Sequence, residues 1–175
     1  MSALSRLAKL IEIACHFFTA FGLIVLIGFA VLTLVNGIAR SLLLAPLDIV
    51  GDLANLVVAS AVASCFPLAI LQKANIRIEI VLDLLPHGTR RMVVSIVNLL
   101  VLAILIGVTR QLFVYAGNAG RAGDSTAMLE IPTAPFWYYV AAMLAVATVT
   151  QVLLVAIEIS GGVYRPSEPI PGPQG

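Results

Sequence analysis

Only a short list of side chains in this chain can do chemistry. Its 175 residues include two His, two Cys, ten Lys or Arg and nine Asp or Glu. Bis-histidine haem ligation needs two imidazoles at one depth on facing helices. His16 falls in the first turn of an apolar stretch and His87 in a connection directly after Pro86, so no haem is expected. Cys15 and Cys65 stand singly inside apolar stretches, where a thiol is a small packing residue rather than a redox centre. No nucleophile–base pair and no metal-ligand spacing occurs. The expectation is a non-catalytic chain without cofactors.

The elements that hold these residues explain the scarcity. Hydrophobic residues make up 61% of the chain, charged ones 11%, and the mean hydropathy is +1.07. A soluble domain carries roughly twice that share of charge, and a net charge of +1 offers no field for nucleic acid. The chain is therefore an integral membrane protein. A bilayer core of about 30 Å takes roughly 20 helical residues, and backbone groups in lipid must be satisfied within a helix. Four stretches qualify, at about 13–36, 52–72, 92–114 and 134–158. The predicted fold is all-α: an integral membrane four-helix bundle occupying residues 1–160, with residues 161–175 a disordered cytoplasmic tail rich in Gly and Pro.

Four crossings put both termini on the side of the central connection, which holds Lys73, Arg77, Arg90 and Arg91, with Arg6, Lys9 and Arg165 on the same side. The positive-inside tendency makes that side cytoplasmic. The first apolar run is too long for a cleavable signal segment of about 7–15 residues, so it is expected to stay as an anchor. In the central connection Ile76, Ile80, Val81 and Leu84 share a helical face while Arg77, Glu79 and Asp83 supply polar positions. This pattern predicts an amphipathic segment in the headgroup plane. Phe136, Trp137, Tyr138 and Tyr139 mark where the fourth span enters the interface.

Inside the spans almost nothing is ionisable, which argues against an autonomous pump. Asn36, Asn55, Asn98 and Gln151 are the strongest polar groups, and interhelical hydrogen bonding is the simpler role for them. Arg110, one turn before Tyr115, either pairs with an acid inside a complex or extends its head to the headgroups. Snorkelling is the expected case. Ala59 and Ala63, Ser60 and Ser64, and Ala141 and Ala145 repeat at four-residue spacing, which lets helix backbones approach closely in lipid. They serve either internal packing or docking onto a larger partner. Pro67 should bend the second span by removing one backbone bond.

An ordered set of residues resembles the small integral-membrane subunit of TRAP (tripartite ATP-independent periplasmic) transporters. Arg40 follows the first span, and Asp52 opens the second in Asp52-Leu53-Ala54. The run Asn75-Ile76-Arg77-Ile78-Glu79-Ile80-Val81-Leu82-Asp83-Leu84-Leu85-Pro86 is similar to the family's most recognisable stretch, with Asn75 where a His is usual. Ser125, Leu129 and Ile131-Pro132 resemble its outer-loop pattern.

The resemblance implies a chain of the bacterial inner membrane working beside two partners, a large multi-span permease subunit and a periplasmic solute-binding protein. The large subunit would carry the solute and sodium sites. Uptake of an organic acid would be driven by an ion gradient, with this chain a fixed scaffold in the lipid. Candidate partner contacts are Arg40, Asp48, Asp52, Arg110 and Asp124, together with Asn75, Arg77, Glu79 and Asp83 of the central segment. Two rival functions are the membrane anchor of a respiratory oxidoreductase and a self-sufficient small homo-oligomeric transporter. The first wants haem or quinone ligands, and the second an intramembrane carboxylate or a hydrophilic stripe.

Overall fold

A computed structural model describes residues 3–43, 49–72, 87–127 and 129–159. The central segment with Asn75, Arg77, Glu79 and Asp83, the aspartate Asp48 and the tail 161–175 lie outside the described residues. Four helices account for nearly all of what is described: α1 (Ala3–Leu43), α2 (Ile49–Leu71), α3 (His87–Ala122) and α4 (Ala134–Ile159). All four contain a stretch long and apolar enough to cross a membrane: Lys9–Ser41, Val50–Leu71, Met92–Ala122 and Ala134–Ile157.

Local chemistry sets the helix ends. Asp52 sits in the first turn of α2 and Arg40 in the last turn of α1, each on the side the helix dipole favours. The third helix begins immediately after Pro86, a residue that disfavours helical backbone in the one before it. It stops at Gly123, whose φ is +71°. There the Asp124 amide reaches back to the Ala119 carbonyl at 3.0 Å, the bond of a left-handed glycine cap. Thr133 starts α4, its carbonyl accepting from the Phe136 and Trp137 amides at 3.1 and 3.3 Å. α2 runs unbroken through Pro67. The residues ahead of the first span are continuous with it in α1, and no Pro or Gly interrupts residues 3–21.

The helices pack in the order α1–α2–α4–α3, with substantial contact between each neighbouring pair in that row. α4 is the most enclosed: half of its span is buried, against 6% for those of α1 and α3. The core is built from Ala63, Leu105, Val140, Met143 and Leu144, with Phe18, Ala59, Ile70 and Tyr139 packed around it. Large apolar side chains cover the outside, Phe17, Ile24 and Met92 each about two-thirds exposed. Helices apolar on every side suit a lipid surround and no aqueous one.

Side-chain pairs fix the ends of the row. Cys15 meets Thr150, and Gln151 meets Asn98, so the start of α1, the start of α3 and the end of α4 share one end. Asp52 meets Leu129 and Tyr115 meets Trp137 at the other. The first is called here the terminal end and the second the loop end.

Candidate functional site

At the loop end the connection from α3 to α4 folds into a compact turn. The Thr126 amide donates to the Ile131 carbonyl at 3.0 Å, and the Glu130 amide to the Thr126 carbonyl at 3.2 Å. The Ile131 amide donates to Thr126 Oγ1 at 3.1 Å. The Thr133 amide and hydroxyl both reach the Asp124 carbonyl, at 3.0 and 3.2 Å. Ser125 and Pro132 form an isolated antiparallel bridge. Glu130 takes a φ of +51°, a conformation that costs a residue with a Cβ about 1–2 kcal/mol.

One side chain ties this turn to a distant element. The Leu129 amide donates to Asp52 Oδ2 at 3.0 Å. A carboxylate accepting a backbone N–H makes one of the stronger kinds of hydrogen bond. The structure thus joins two residues of the outer pattern, Asp52 and Leu129, across 77 positions. Arg40 and Asp124 lie exposed near the same end. The Asp124 side chain takes no part in the turn, which uses its backbone.

Aromatic side chains frame the entry to α4. Tyr115 and Trp137 pack edge to face with centroids 5.0 Å apart, and Phe113 lies 6.4 Å from Tyr138. Amphipathic rings of this kind belong at the headgroup level.

Below that belt the polar groups are spent on one another. Ser64 donates to the Ser60 carbonyl at 2.9 Å, so its oxygen accepts from the Tyr139 hydroxyl at 2.8 Å. Thr19 donates to the Ser64 carbonyl at 3.3 Å, joining α1, α2 and α4 at one level. Thr148 donates to the Leu144 carbonyl at 2.8 Å and accepts from Thr109 at 3.1 Å. Thr150 donates to the Val146 carbonyl at 2.9 Å, leaving Cys15 as the donor across 3.9 Å. Gln151 Nε2 donates to the Asn98 carbonyl at 3.2 Å and to its side-chain oxygen at 3.4 Å. Among the described residues no buried side-chain polar atom lacks a partner.

The small-residue stripes lie within this framework. Ala63 is 3% exposed, Ser64 is buried and Ala141 is fully enclosed. Ala59 packs on the core, while Ser60 and Ala145 are half-buried. Gly22, also buried, lies against α2. A Cβ there would stand 2.7 Å from Ser64 Cβ and 2.8 Å from the Ala61 carbonyl oxygen. His16 is exposed on α1. The sequence reading took Tyr139 only as an interfacial aromatic and missed Thr109, Thr148, Thr150, Thr19 and Gly22. Isolated hydroxyls and a lone glycine in an apolar run carry no signal until their partners are known.

These features describe a membrane protein with a braced turn at the loop end and closed interior polarity. The family model for the DctQ component of tripartite ATP-independent periplasmic transporters matches residues 29–159. The chain belongs to that family. Neither the curated proteins nor the solved structures hold a match for it. The matched span of this DctQ chain takes in Arg40, the Asp52–Leu129 tie, the 123–133 turn and α2 to α4 whole. Membership makes it the small component of a TRAP transporter, a multi-pass membrane protein that associates with a large permease and a solute-binding protein.

Arg110 needs separate placement. The α3 helix continues to Ala122, so Arg110 stands about three turns short of the helix end. Its neighbour Thr109 bonds Thr148, which is roughly 21 Å along α4 from Ala134 and roughly 16 Å from Ile159 at 1.5 Å per residue. Arg110 is exposed and has no hydrogen-bond or ion-pair partner among the described residues. An Arg near the middle of a spanning helix costs about 2.5–3.5 kcal/mol on the insertion scale.

Proposed function

We propose that this chain is the fixed membrane scaffold of its transporter, lodged in the bacterial inner membrane with both termini cytoplasmic, and carries no part of the solute or ion path. The observation that supports this is the state of its interior. Among the described residues every buried side-chain polar atom has a partner, several of them on a neighbouring helix, and no Asp or Glu lies within 13–47, 53–78, 84–123 or 131–157. A cation or carboxylate cargo needs oxygen or basic ligands free to change partners. Coupled movement of sodium and an organic acid then belongs to the large permease subunit, delivered by the binding protein. The role left to this chain is to widen and orient the base against which that subunit moves.

The test is reconstitution in liposomes with the binding protein and an imposed sodium gradient. The complete complex should accumulate solute, the large subunit alone should transport poorly, and this chain alone should give no flux. Solute flux through this chain by itself would overturn the proposal.

A further inference from the structure

The outward face of α3 sets small residues beside a cation. The buried side of this helix runs through Leu105, Ala116 and Ala119 and meets α4. On the opposite side Ala103, Gly107, Arg110, Gln111 and Val114 are all exposed and fall on one stripe. Ala103 and Gly107, four apart, leave a shallow notch, and a side chain at Gly107 would meet nothing within 4 Å. A small-residue notch admits a second helix closely in lipid. Beside the notch stand a guanidinium and a carboxamide at the depth of the Thr109–Thr148 bond.

That depth argues against lipid headgroups as their partner. Arg110 lies about 8 Å below Tyr115 along α3, more than one helical turn beneath the aromatic belt. Helical side chains lean toward the helix N-terminus, which for α3 is the terminal end, away from the aromatic belt. An outward snorkel of ~7 Å runs against that lean. A second copy of this chain offers no counter-ion at that level either, since it has no Asp or Glu within 13–47, 53–78, 84–123 or 131–157.

We propose that this stripe is the seat of a membrane-spanning helix of the large permease subunit, which presents an Asp or Glu to Arg110 below the aromatic belt and a smooth apolar flank to Ala103 and Gly107. The inference rests on the scaffold reading and names the surface it uses. Arg makes a forked, directional pair with a carboxylate, so the contact fixes rotation and depth together, where apolar packing alone would let the two subunits slide.

The experiment uses the whole transporter in its native membrane. A photo-crosslinking residue placed at Gly107 or at Val114 should yield adducts with the large subunit, and one at Leu105 should yield none. Arg110→Glu should lower recovery of the large subunit with this chain at least tenfold. Arg110→Lys should retain most of it, and a compensating Asp or Glu→Arg change on the crosslinked helix should restore the Arg110→Glu complex. Adducts with only a second copy of this chain or only with lipid would overturn the proposal. So would full recovery with Arg110→Glu while crosslinks map to α1, and in that case the scaffold reading stands. Failure of the unaltered chain to co-purify with any large subunit would instead overturn the scaffold reading itself.

Discussion

Replacing Gly22 with alanine puts the tightest helix crossing under strain in a way whose size can be worked out. The new Cβ would lie 2.7 Å from Ser64 Cβ and 2.8 Å from the Ala61 carbonyl oxygen, where carbon contacts settle near 3.5–4.0 Å. The carbonyl belongs to the α2 backbone and cannot swing aside, so α1 and α2 must part by about 1 Å at this level. A gap of that size forfeits a quarter to a half of each dispersion contact along the seam, and overpacking of this kind costs about 1–3 kcal/mol. The Thr19 bond to the Ser64 carbonyl, already 3.3 Å, is lost as well, removing about 0.6–1 kcal/mol.

Alanine in a helix interior returns about 1 kcal/mol relative to glycine, leaving a net loss of about 0.6–3 kcal/mol. Gly28, where a Cβ meets nothing within 4 Å, keeps only the gain and is the internal control. Thermal unfolding of the purified complex in one detergent should separate the two, with Gly22→Ala lowered, Gly28→Ala level or raised, and Gly22→Leu lowest. Equal behaviour of Gly22→Ala and Gly28→Ala would refute the close crossing.

Other expected outcomes follow from single bonds. Asp52→Ala should free the 123–133 turn at a cost of about 1–3 kcal/mol, read as faster proteolysis at Glu130 in right-side-out vesicles, while Asp52→Asn, which keeps an acceptor, should fall between. Tyr139→Phe and Ser64→Ala should each destabilise the chain, and their double-mutant cycle should show a coupling of about 0.6–1.7 kcal/mol; a coupling of zero would mean that the 2.8 Å contact contributes nothing.

The helices were legible because their signals are local. Apolar runs of spanning length, Pro86 ahead of α3 and the aromatic cluster at Trp137 need no knowledge of the rest of the chain. Asp52 was singled out by type and place, yet its partner was hidden, because Leu129 contributes a backbone amide and backbone amides leave no trace in a sequence. Ser64 stood out through its spacing with Ser60, whereas Tyr139, which completes its bonding, looked like one more interfacial aromatic. The end of α3 was hidden because hydropathy declines after Thr109, although contact with α4 through Ala116 and Ala119 carries the helix on to Ala122. The order of helices in the row depends on which small residues find each other, and four-residue spacing alone does not name a partner.

The length of α1 bears on the lipid around it. Its stretch without a charged side chain, residues 13–39, is about 40 Å long at 1.5 Å per residue, against a hydrocarbon core of about 30 Å. Burying all of it by inclination alone requires roughly 40° from the normal, the steep end of the usual 0–40° of single helices. The excess lies on an outermost member of the row, where steep inclination and a locally thickened bilayer share the mismatch.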